Sequence, residues 1–279
     1  MQTSTPAAPA TNAPPKILFA GVQKRYPGKG AQAGGTLALD SFNFEFAPSE
    51  IVSIVGPTGC GKSTAMNVLA GFEQASAGRV SVDGKVVTAP GSDRGVVFQQ
   101  STLFPWLTVL GNVVLGVKCR GEAREQYEPR ALRLLEEVGL TGFERHYPYQ
   151  LSGGMQQRVQ IARALINEPD ILLMDEPFAA LDYQTRLLMQ KLLLRLWAHF
   201  RPTILFITHD VGEAIFISDR VIAMTKRPGR VKRIFNVTAP KPRDYDFIGS
   251  PEFTRLEHDL VLAVQGEVEG DDVTARQAF

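Results

Sequence analysis

Short runs of aliphatic and β-branched residues recur along the chain, separated by segments whose apolar residues show helical spacing. Residues 51–55 and 171–174 are continuous apolar runs, which is typical of strands buried on both faces. Phe42, Phe44 and Phe46 instead alternate with polar residues, as in a strand with one solvent face. Because helical segments separate the later strands, the pattern predicts an α/β fold with a parallel sheet. The predicted strands cover residues 16–26, 37–48, 51–55, 79–87 (a hairpin turning at Asp83-Gly84), 95–99, 171–174, 203–208 and 221–225.

A mainly helical insert is predicted between about residues 101 and 166. In its middle helix, Leu132, Leu135 and Val138 are an example of apolar residues at helical spacing. The predicted helices of the insert cover residues 108–117, 127–138 and 156–166, and a long amphipathic helix follows over 183–200.

The chain divides into three parts on this pattern. Residues 1–15 are rich in Ala, Pro and Thr and are predicted to be a disordered tail. Residues 16–235 form the main domain, and residues 236–279 are a short C-terminal extension. A helix begins in the extension at Pro251. The apolar residues expected to share one face of that helix are Phe253, Leu256, Leu260 and Val264.

Composition excludes some classes of function. The sequence has 30 basic and 29 acidic residues, a net charge of +1, which argues against a strongly basic surface for nucleic acid. Its two cysteines, Cys60 and Cys119, lie far apart, and a structural disulfide is not expected. No apolar run approaches the roughly 20 residues that span a bilayer, so another chain would have to do the spanning. We therefore expect a cytoplasmic protein without a nucleic-acid partner.

The strand at 51–55 runs into a glycine-rich turn and then a helix, which is the context of a phosphate-binding loop, G-x-x-x-x-G-K-[ST]. Glycines let the backbone point successive N–H groups at one anion, and the helix dipole favours the same charge. Lys62 would contact the β- and γ-phosphates of ATP, and Ser63 would bind Mg²⁺. The loop residues predicted to bind nucleotide are Gly56, Pro57, Thr58, Gly59, Cys60, Gly61, Lys62, Ser63 and Thr64.

Two carboxylates, Asp175 and Glu176, follow the apolar run at 171–174. Ligands of parallel sheets bind at the carboxyl ends of the strands, where this pair would emerge. Asp175 would hold Mg²⁺, and Glu176 could act as the general base toward the attacking water. The alternative is an acidic pair that caps the next helix.

A second glycine-rich helix start, Leu151-Ser152-Gly153-Gly154-Met155-Gln156-Gln157-Arg158, lies between these two motifs. Its backbone N–H groups and helix dipole would also favour an anion, and a single bound nucleotide does not need two such phosphate-binding helix starts. The segment resembles the signature sequence of ABC-type ATPases, LSGGQ, and stands in that family's order, with Met155 at the usual Gln position. In that family, Ser152, Gly153, Gly154 and Gln156 would bind the nucleotide of a partner subunit.

The resemblance covers roughly residues 16 to 230 and implies further assignments. Gln99 matches the glutamine that contacts Mg²⁺, although Gln100 is adjacent. Asp182 matches the D-loop at the dimer interface. His209 matches the switch histidine that contacts the γ-phosphate, where the alternative is an ordinary surface residue. Tyr26 matches the aromatic residue that stacks on adenine, where the alternative is a core tyrosine.

The fold implied by the resemblance is a P-loop NTPase (RecA-like) core with an antiparallel β subdomain and a helical subdomain. Its implied function is ATP hydrolysis by a head-to-tail dimer. The isolated chain is expected to be a poor ATPase, because each subunit supplies only half of each active site.

 Each active site of such a dimer combines the phosphate loop of one chain with the signature turn of its partner, and a homodimer is expected.

The segment after Gln99, LFPWLTVLGNV, and the later segment PRDYDFIGSPEF resemble the ATP-binding subunits of nitrate, sulfonate and taurine importers. Phe104-Pro105-Trp106 would lie in the groove that receives a membrane permease, although simple packing of the helical insert is an alternative. The resemblance implies a peripheral protein on the cytoplasmic face of the membrane. The permease would connect it to a periplasmic or extracellular solute-binding protein. Competing hypotheses are a soluble ABC ATPase acting on a macromolecule and an exporter subunit.

Overall fold

The computed structural model describes residues 14–28 and 35–265. Of the predicted N-terminal tail, residues 1–13 lie outside the described residues. The strands are β1 (Ile17–Tyr26), β2 (Thr36–Phe46), β3 (Ile51–Val55), β4 (Ala77–Val82), β5 (Lys85–Val86), β6 (Arg94–Val97), β7 (Ile171–Asp175), β8 (Thr203–Ile207), β9 (Arg220–Met224) and β10 (Val231–Asn236). The helices are α1 (Lys62–Ala70), α2 (Val109–Cys119), α3 (Arg124–Glu137), α4 (Gly153–Leu165), α5 (Tyr183–Phe200), α6 (Val211–Ile217), α7 (Tyr245–Ile248) and α8 (Pro251–Gln265), with a short 3-10 turn at Pro148–Gln150.

Two sheets form within these ranges. The larger has the order β10-β9-β3-β8-β7-β6, in which β10 pairs antiparallel with β9 and the other pairs are parallel. The smaller sheet is antiparallel, in the order β2-β1-β4-β5. Its predicted hairpin is confirmed, with Asp83 at φ 48° and Gly84 at φ 75°, the left-handed conformations that a tight turn requires. This is the mixed α/β architecture that the sequence predicts.

The parallel strands are buried on both faces, as their continuous apolar runs predict. Ile51 and Val55 of β3 face a core shared with the helices, whereas Val52 and Ile54 face a core shared with α1 and the antiparallel sheet. The sheet is therefore held between two apolar layers, and its carboxyl-terminal edge is where polar residues emerge. The site described below lies at that edge.

The helical insert is present, but only part of the apolar series at helical spacing in α3 is buried. Leu132 is 43% exposed, whereas Leu135 and Val138 are buried. The buried face of α3 instead passes through Ala131 and Leu134. A face with spacings of three and four residues follows the helix more closely than the 132–135–138 series, which drifts away from the core.

The sequence analysis did not predict α6, β10, the short helix α7 or the 3-10 turn. All of Ala214, Ile215, Phe216 and Ile217 in α6 are buried, so the helix has no polar face to reveal its period. β10 is a sheet edge with mostly exposed side chains, and the predicted domain boundary at residue 235 falls within it.

The C-terminal extension packs onto the same core as the sheet. Phe253, Leu256 and Leu260 of α8 are buried there, on the face that the sequence predicts. Arg243 is also buried, and its guanidinium donates to the carbonyl groups of Ile215, Phe216 and Ser218 at the end of α6. Burial lowers the pKa of Arg243 to about 10. The extension therefore fixes the end of the helix that follows His209.

Candidate nucleotide-binding and hydrolysis site

The glycine-rich turn between β3 and α1 forms a tight phosphate loop. Gly59 and Gly61 have φ values of 76° and 107°, which strongly favour glycine. A Cβ atom on Gly61 would lie 2.8 Å from the carbonyl oxygen of Ala38, so the loop also lacks room for a side chain there. The Lys62 ammonium is buried and donates to the carbonyl oxygens of Gly56 (2.8 Å) and Pro57 (3.1 Å). Lys62 is thus held against the backbone of the phosphate loop.

A cavity of about 460 Å³ opens beside this loop. It brings together residues from β1, β2, the loop, the end of β7 and the turn after β9. Its lining residues are Tyr26, Thr36, Ala38, Thr58, Gly59, Gly61, Lys62, Ser63, Thr64, Glu176 and Arg227. Of the predicted loop residues, Gly56, Pro57 and Cys60 shape the loop without lining the cavity. The Cys60 thiol is buried, and burial raises its pKa.

Asp175 ends β7 and lies next to the phosphate loop. Burial raises its pKa, the hydrogen bond with the Ser63 hydroxyl opposes this rise, and the nearby charge of Glu176 adds to it. A hydroxyl and a carboxylate therefore meet at the start of α1. Both are hard oxygen donors of the kind that Mg²⁺ prefers.

Glu176 and His209 form a pair at the ends of neighbouring strands. Glu176 follows β7 with φ 44°, a left-handed conformation that is uncommon outside glycine, and its N–H donates to the carbonyl oxygen of Ile207 at 2.9 Å. Its Oε2 lies 3.0 Å from Nδ1 of His209, which follows β8. With Nδ1 protonated, the imidazole donates to the carboxylate and orients it.

A buried glutamate anchors the segment around His209. The hydroxyl of Thr208 donates to the Glu213 carboxylate, and the Asp210 carboxylate accepts from the Glu213 N–H at 2.9 Å. Burial raises the pKa of Glu213 to about 7, against the opposing hydrogen bonds from Thr208 and Gln190. Sequence reasoning missed Glu213, although Asp210-x-x-Glu213 has the spacing of a helix capping box.

Tyr26 lies at the other end of the cavity. Its hydroxyl is 3.4 Å from that of Thr64, and the Lys24 ammonium is 5.1 Å from the centre of its ring. Burial raises the pKa of the phenol. Because it lines the cavity, the ring lies where a flat heterocycle bound above Thr64 could stack on it.

The signature turn is not part of this cavity within one chain. Ser152 is exposed and caps α4 by accepting from the Met155 N–H at 3.3 Å. The neighbouring Gly153 is also exposed, whereas Gly154 is buried, and a Cβ there would lie 2.9 Å from Cγ2 of Thr185. The amide of Gln156 donates to the Pro148 carbonyl at 3.0 Å and therefore holds the preceding turn.

Gln99 and Asp182 also lie outside the residues that line the cavity. β6 ends at Val97, and Gln99 is exposed in the bend that follows. Asp182 caps α5 by accepting from the Thr185 N–H at 3.0 Å. The pKa of its carboxyl group is lowered by the Thr185 hydroxyl and, to a smaller extent, by this N–H. The structure thus brings together the phosphate loop, Asp175, Glu176, His209 and Tyr26, and leaves the remaining predicted residues on other surfaces.

The family model for ABC transporters matches residues 39–179, a segment that runs from β2 through both carboxylates. The chain belongs to this family. It is an ABC ATP-binding subunit and an ATPase, and the nucleotide of its site is ATP.

Named relatives and a solved structure agree with this assignment. An uncharacterized ABC transporter ATP-binding protein of Methanocaldococcus jannaschii is 50% identical over 231 residues, 83% of this chain and 85% of that protein. The taurine import ATP-binding protein of Rhizobium johnstonii is 46% identical over 82% of this chain and 90% of its own length. The nitrate import ATP-binding protein of Synechocystis is 42% identical, over 84% and 90%.

The solved structure is a dimeric ATP-binding cassette in a post-hydrolysis state, bound to ADP and Pi. It superposes with a TM-score of 0.70 at 34% identity, covering 80% of this chain and all of that one. The fold predicted for an ABC ATPase is thereby confirmed.

Mg²⁺ fits the residues present. No group of three or more His, Cys, Asp or Glu side chains in the described part of the chain could hold a metal ion alone. Mg²⁺ needs no such group, because it binds through one or two protein oxygens together with substrate phosphates and water. The Ser63 hydroxyl and the Asp175 carboxylate, which interact with each other at the start of α1, are oxygens of this kind.

The lengths and hydropathies of the helices bear on whether the chain enters a membrane. In residues 14–28 and 35–265, none is both long and apolar enough to cross a bilayer.

Proposed function

We propose that this chain powers an ABC importer of a small anion, such as nitrate, a sulfonate or taurine. The observation that carries the proposal is the assembled hydrolysis site in a chain 46% and 42% identical to proteins named for taurine and nitrate import. ATP hydrolysis at the site would provide the energy, and the names of the relatives favour import of a small anion as the process that uses it.

In the proposed reaction, Lys62 leaves the loop carbonyls and contacts the β- and γ-phosphates of ATP. Ser63 and Asp175 would hold Mg²⁺, which supplies neutralisation of phosphate charge when it is bound. Glu176 accepts the proton of the attacking water, and His209 orients the carboxylate and contacts the γ-phosphate. Tyr26 stacks on adenine.

A dimer would complete each site. Ser152, Gly153, Gly154 and Gln156 lie outside the cavity of their own chain, and Ser152 is exposed at the start of α4. In a head-to-tail dimer this helix start would face the γ-phosphate held by the partner, with Asp182 at the interface and Gln99 toward the metal.

A half-buried and an exposed aromatic ring, Phe104 and Trp106, would serve as the permease contact. Trp106 is 70% exposed, and its ring lies 5.4 Å from that of Phe104. Exposure of so large an apolar side chain supports docking over simple packing of the helical insert. The partner would be a cytoplasmic helix of the permease, which places this chain peripherally on the cytoplasmic face of the membrane. A solute-binding protein would act through the permease.

The test is co-purification of the tagged chain from detergent-solubilised membranes of its native host. We expect a polytopic membrane protein in stoichiometric amount, and a Trp106→Ala variant should recover much less of it. Lys85→Ala, on an exposed strand of the other sheet, is the matched control. Recovery from the soluble fraction alone, with macromolecular partners, would overturn the transport role and leave the ATPase chemistry intact.

A further inference from the structure

The turn between β9 and β10 is fixed against the nucleotide site. Its Thr225 hydroxyl donates to the Pro228 carbonyl at 3.0 Å, which closes the turn on itself. Gly229 then pairs with β2: its N–H donates to the Ala38 carbonyl at 2.8 Å, and its carbonyl accepts from the Asp40 N–H at 3.0 Å. Since Ala38 lines the cavity, the turn is anchored at the cavity wall.

The same turn touches the phosphate loop. A Cβ atom on Gly229 would lie 2.0 Å from the carbonyl oxygen of Cys60, so the two backbones are in direct contact. The position of the turn therefore depends on the phosphate loop, and the side chains of the turn are placed relative to that loop.

Arg227 projects from this turn onto the loop. Its Nε donates to the Gly59 carbonyl at 3.2 Å, and its Nη2 lies 3.1 Å from where a Cβ of Gly59 would be. Arg227 also lines the cavity together with Lys62 and Ser63. A guanidinium has four N–H donors besides Nε, in a fork suited to phosphate oxygens.

We propose that Arg227 contacts the phosphate chain of the ATP bound by its own subunit. Its Nε bond to Gly59 positions the guanidinium at the edge of the loop, and the terminal nitrogens then donate to phosphate oxygens. The inference rests on the nucleotide site alone and holds whichever solute the transporter carries.

The test measures the affinity of purified protein for MgADP and, in a Glu176→Gln background that blocks hydrolysis, for MgATP. Arg227→Gln keeps a donor for the Gly59 carbonyl but removes the charge, whereas Arg227→Lys keeps the charge and loses the fork. We expect about tenfold weaker binding for Arg227→Gln and a smaller loss for Arg227→Lys, because hydrogen bonds to charged groups are the strong ones. Loss for ATP alone would assign the contact to the γ-phosphate, and loss for both nucleotides to the inner phosphates.

Two controls distinguish a contact between Arg227 and phosphate from a purely structural role of Arg227 in stabilising the turn. Arg230→Gln removes another guanidinium of the same turn, one that pairs with Asp40 of β2, and it should leave affinity unchanged. Melting temperatures of all nucleotide-free variants should match that of the wild type. Unchanged affinity in Arg227→Gln, or equal losses in both Arg227 variants with lowered melting temperatures, would overturn the proposal. Lys62→Ala is the reference: if it too bound nucleotide normally, the assignment of the site itself would fail.

Discussion

Glu176 and His209 meet at the ends of β7 and β8, which are neighbours in the sheet. The register of the parallel strands pairs Asp175 with Ile207, so the residues that follow each strand emerge side by side. Proton transfer requires heavy atoms within hydrogen-bond reach, and here the backbone ladder provides that proximity. The chemistry of the site therefore depends on strand register as much as on residue identity.

Replacing Glu176 with Gln tests its role as the base. The amide keeps the size of the side chain and a hydrogen bond to His209, but it cannot accept a proton from water. We expect ATP hydrolysis to fall by about 100-fold or more, with ATP binding retained and an ATP-bound dimer accumulating. Steady-state turnover and size-exclusion chromatography with ATP are the measurements. Turnover at the wild-type rate would show that another group is the base.

Glu213 predicts a pH dependence of stability. Its pKa is raised from 4.5 to about 7 in the folded protein, so the folded state holds the proton more tightly than the unfolded state. The resulting stabilisation is fully present below pH 4.5 and is lost as the pH rises through 7. Glu213→Gln does not titrate and should lack this loss.

The experiment is urea unfolding of both proteins between pH 5 and 8. As the pH rises, the wild type should lose stability and Glu213→Gln should not. We therefore expect the difference in free energy of unfolding, variant minus wild type, to increase by up to about 3 kcal/mol over the full titration. Parallel stability profiles would contradict the assigned pKa.

At the scale of elements, the contact between the β9–β10 turn and the phosphate loop makes a prediction for Gly229→Ala. The added methyl would meet the Cys60 carbonyl, and we expect a destabilisation of about 2 kcal/mol from overpacking, together with weaker nucleotide binding. Gly84→Ala is the control. It has φ 75° but open space around it, so only backbone strain of about 1 kcal/mol applies and nucleotide affinity should not change.

Elements with a clear period or a continuous apolar run could be predicted from the sequence. β3 and α5 match the predicted ranges, because one is apolar throughout and the other amphipathic over many turns. α6 and β10 carry no such contrast between faces. Of the site, Lys62, Asp175 and Glu176 belong to contiguous motifs, whereas Arg227 reaches the cavity only because a distant turn folds back onto Gly59. Such a contact depends on tertiary packing and leaves no local pattern.

For the whole molecule, the separation of the cavity from Ser152 predicts that catalysis requires two chains. Specific ATPase activity should rise with protein concentration as dimers form. A monomer in solution with activity strictly independent of concentration would contradict this.

Complementation gives a second test at the same scale. Lys62→Ala disables the phosphate loop, and Ser152→Arg blocks the signature turn, so either variant alone should be nearly inactive. Mixed dimers contain one intact composite site, and the mixture should regain part of the activity. Absence of recovery, with mixed dimers demonstrated by differential tags, would show that the two motifs do not act across an interface.

The left-handed backbone of Glu176 has a consequence for how this protein can change. An L-residue with a Cβ loses roughly 1 kcal/mol at such a φ, and glycine would relieve the strain. Selection for heat resistance alone would therefore favour losing the carboxylate at this position. With Glu176 as the proposed base, a search for thermostable variants of this ATPase should screen for turnover as well as for stability, because the substitution that relieves the strain would also remove the carboxylate.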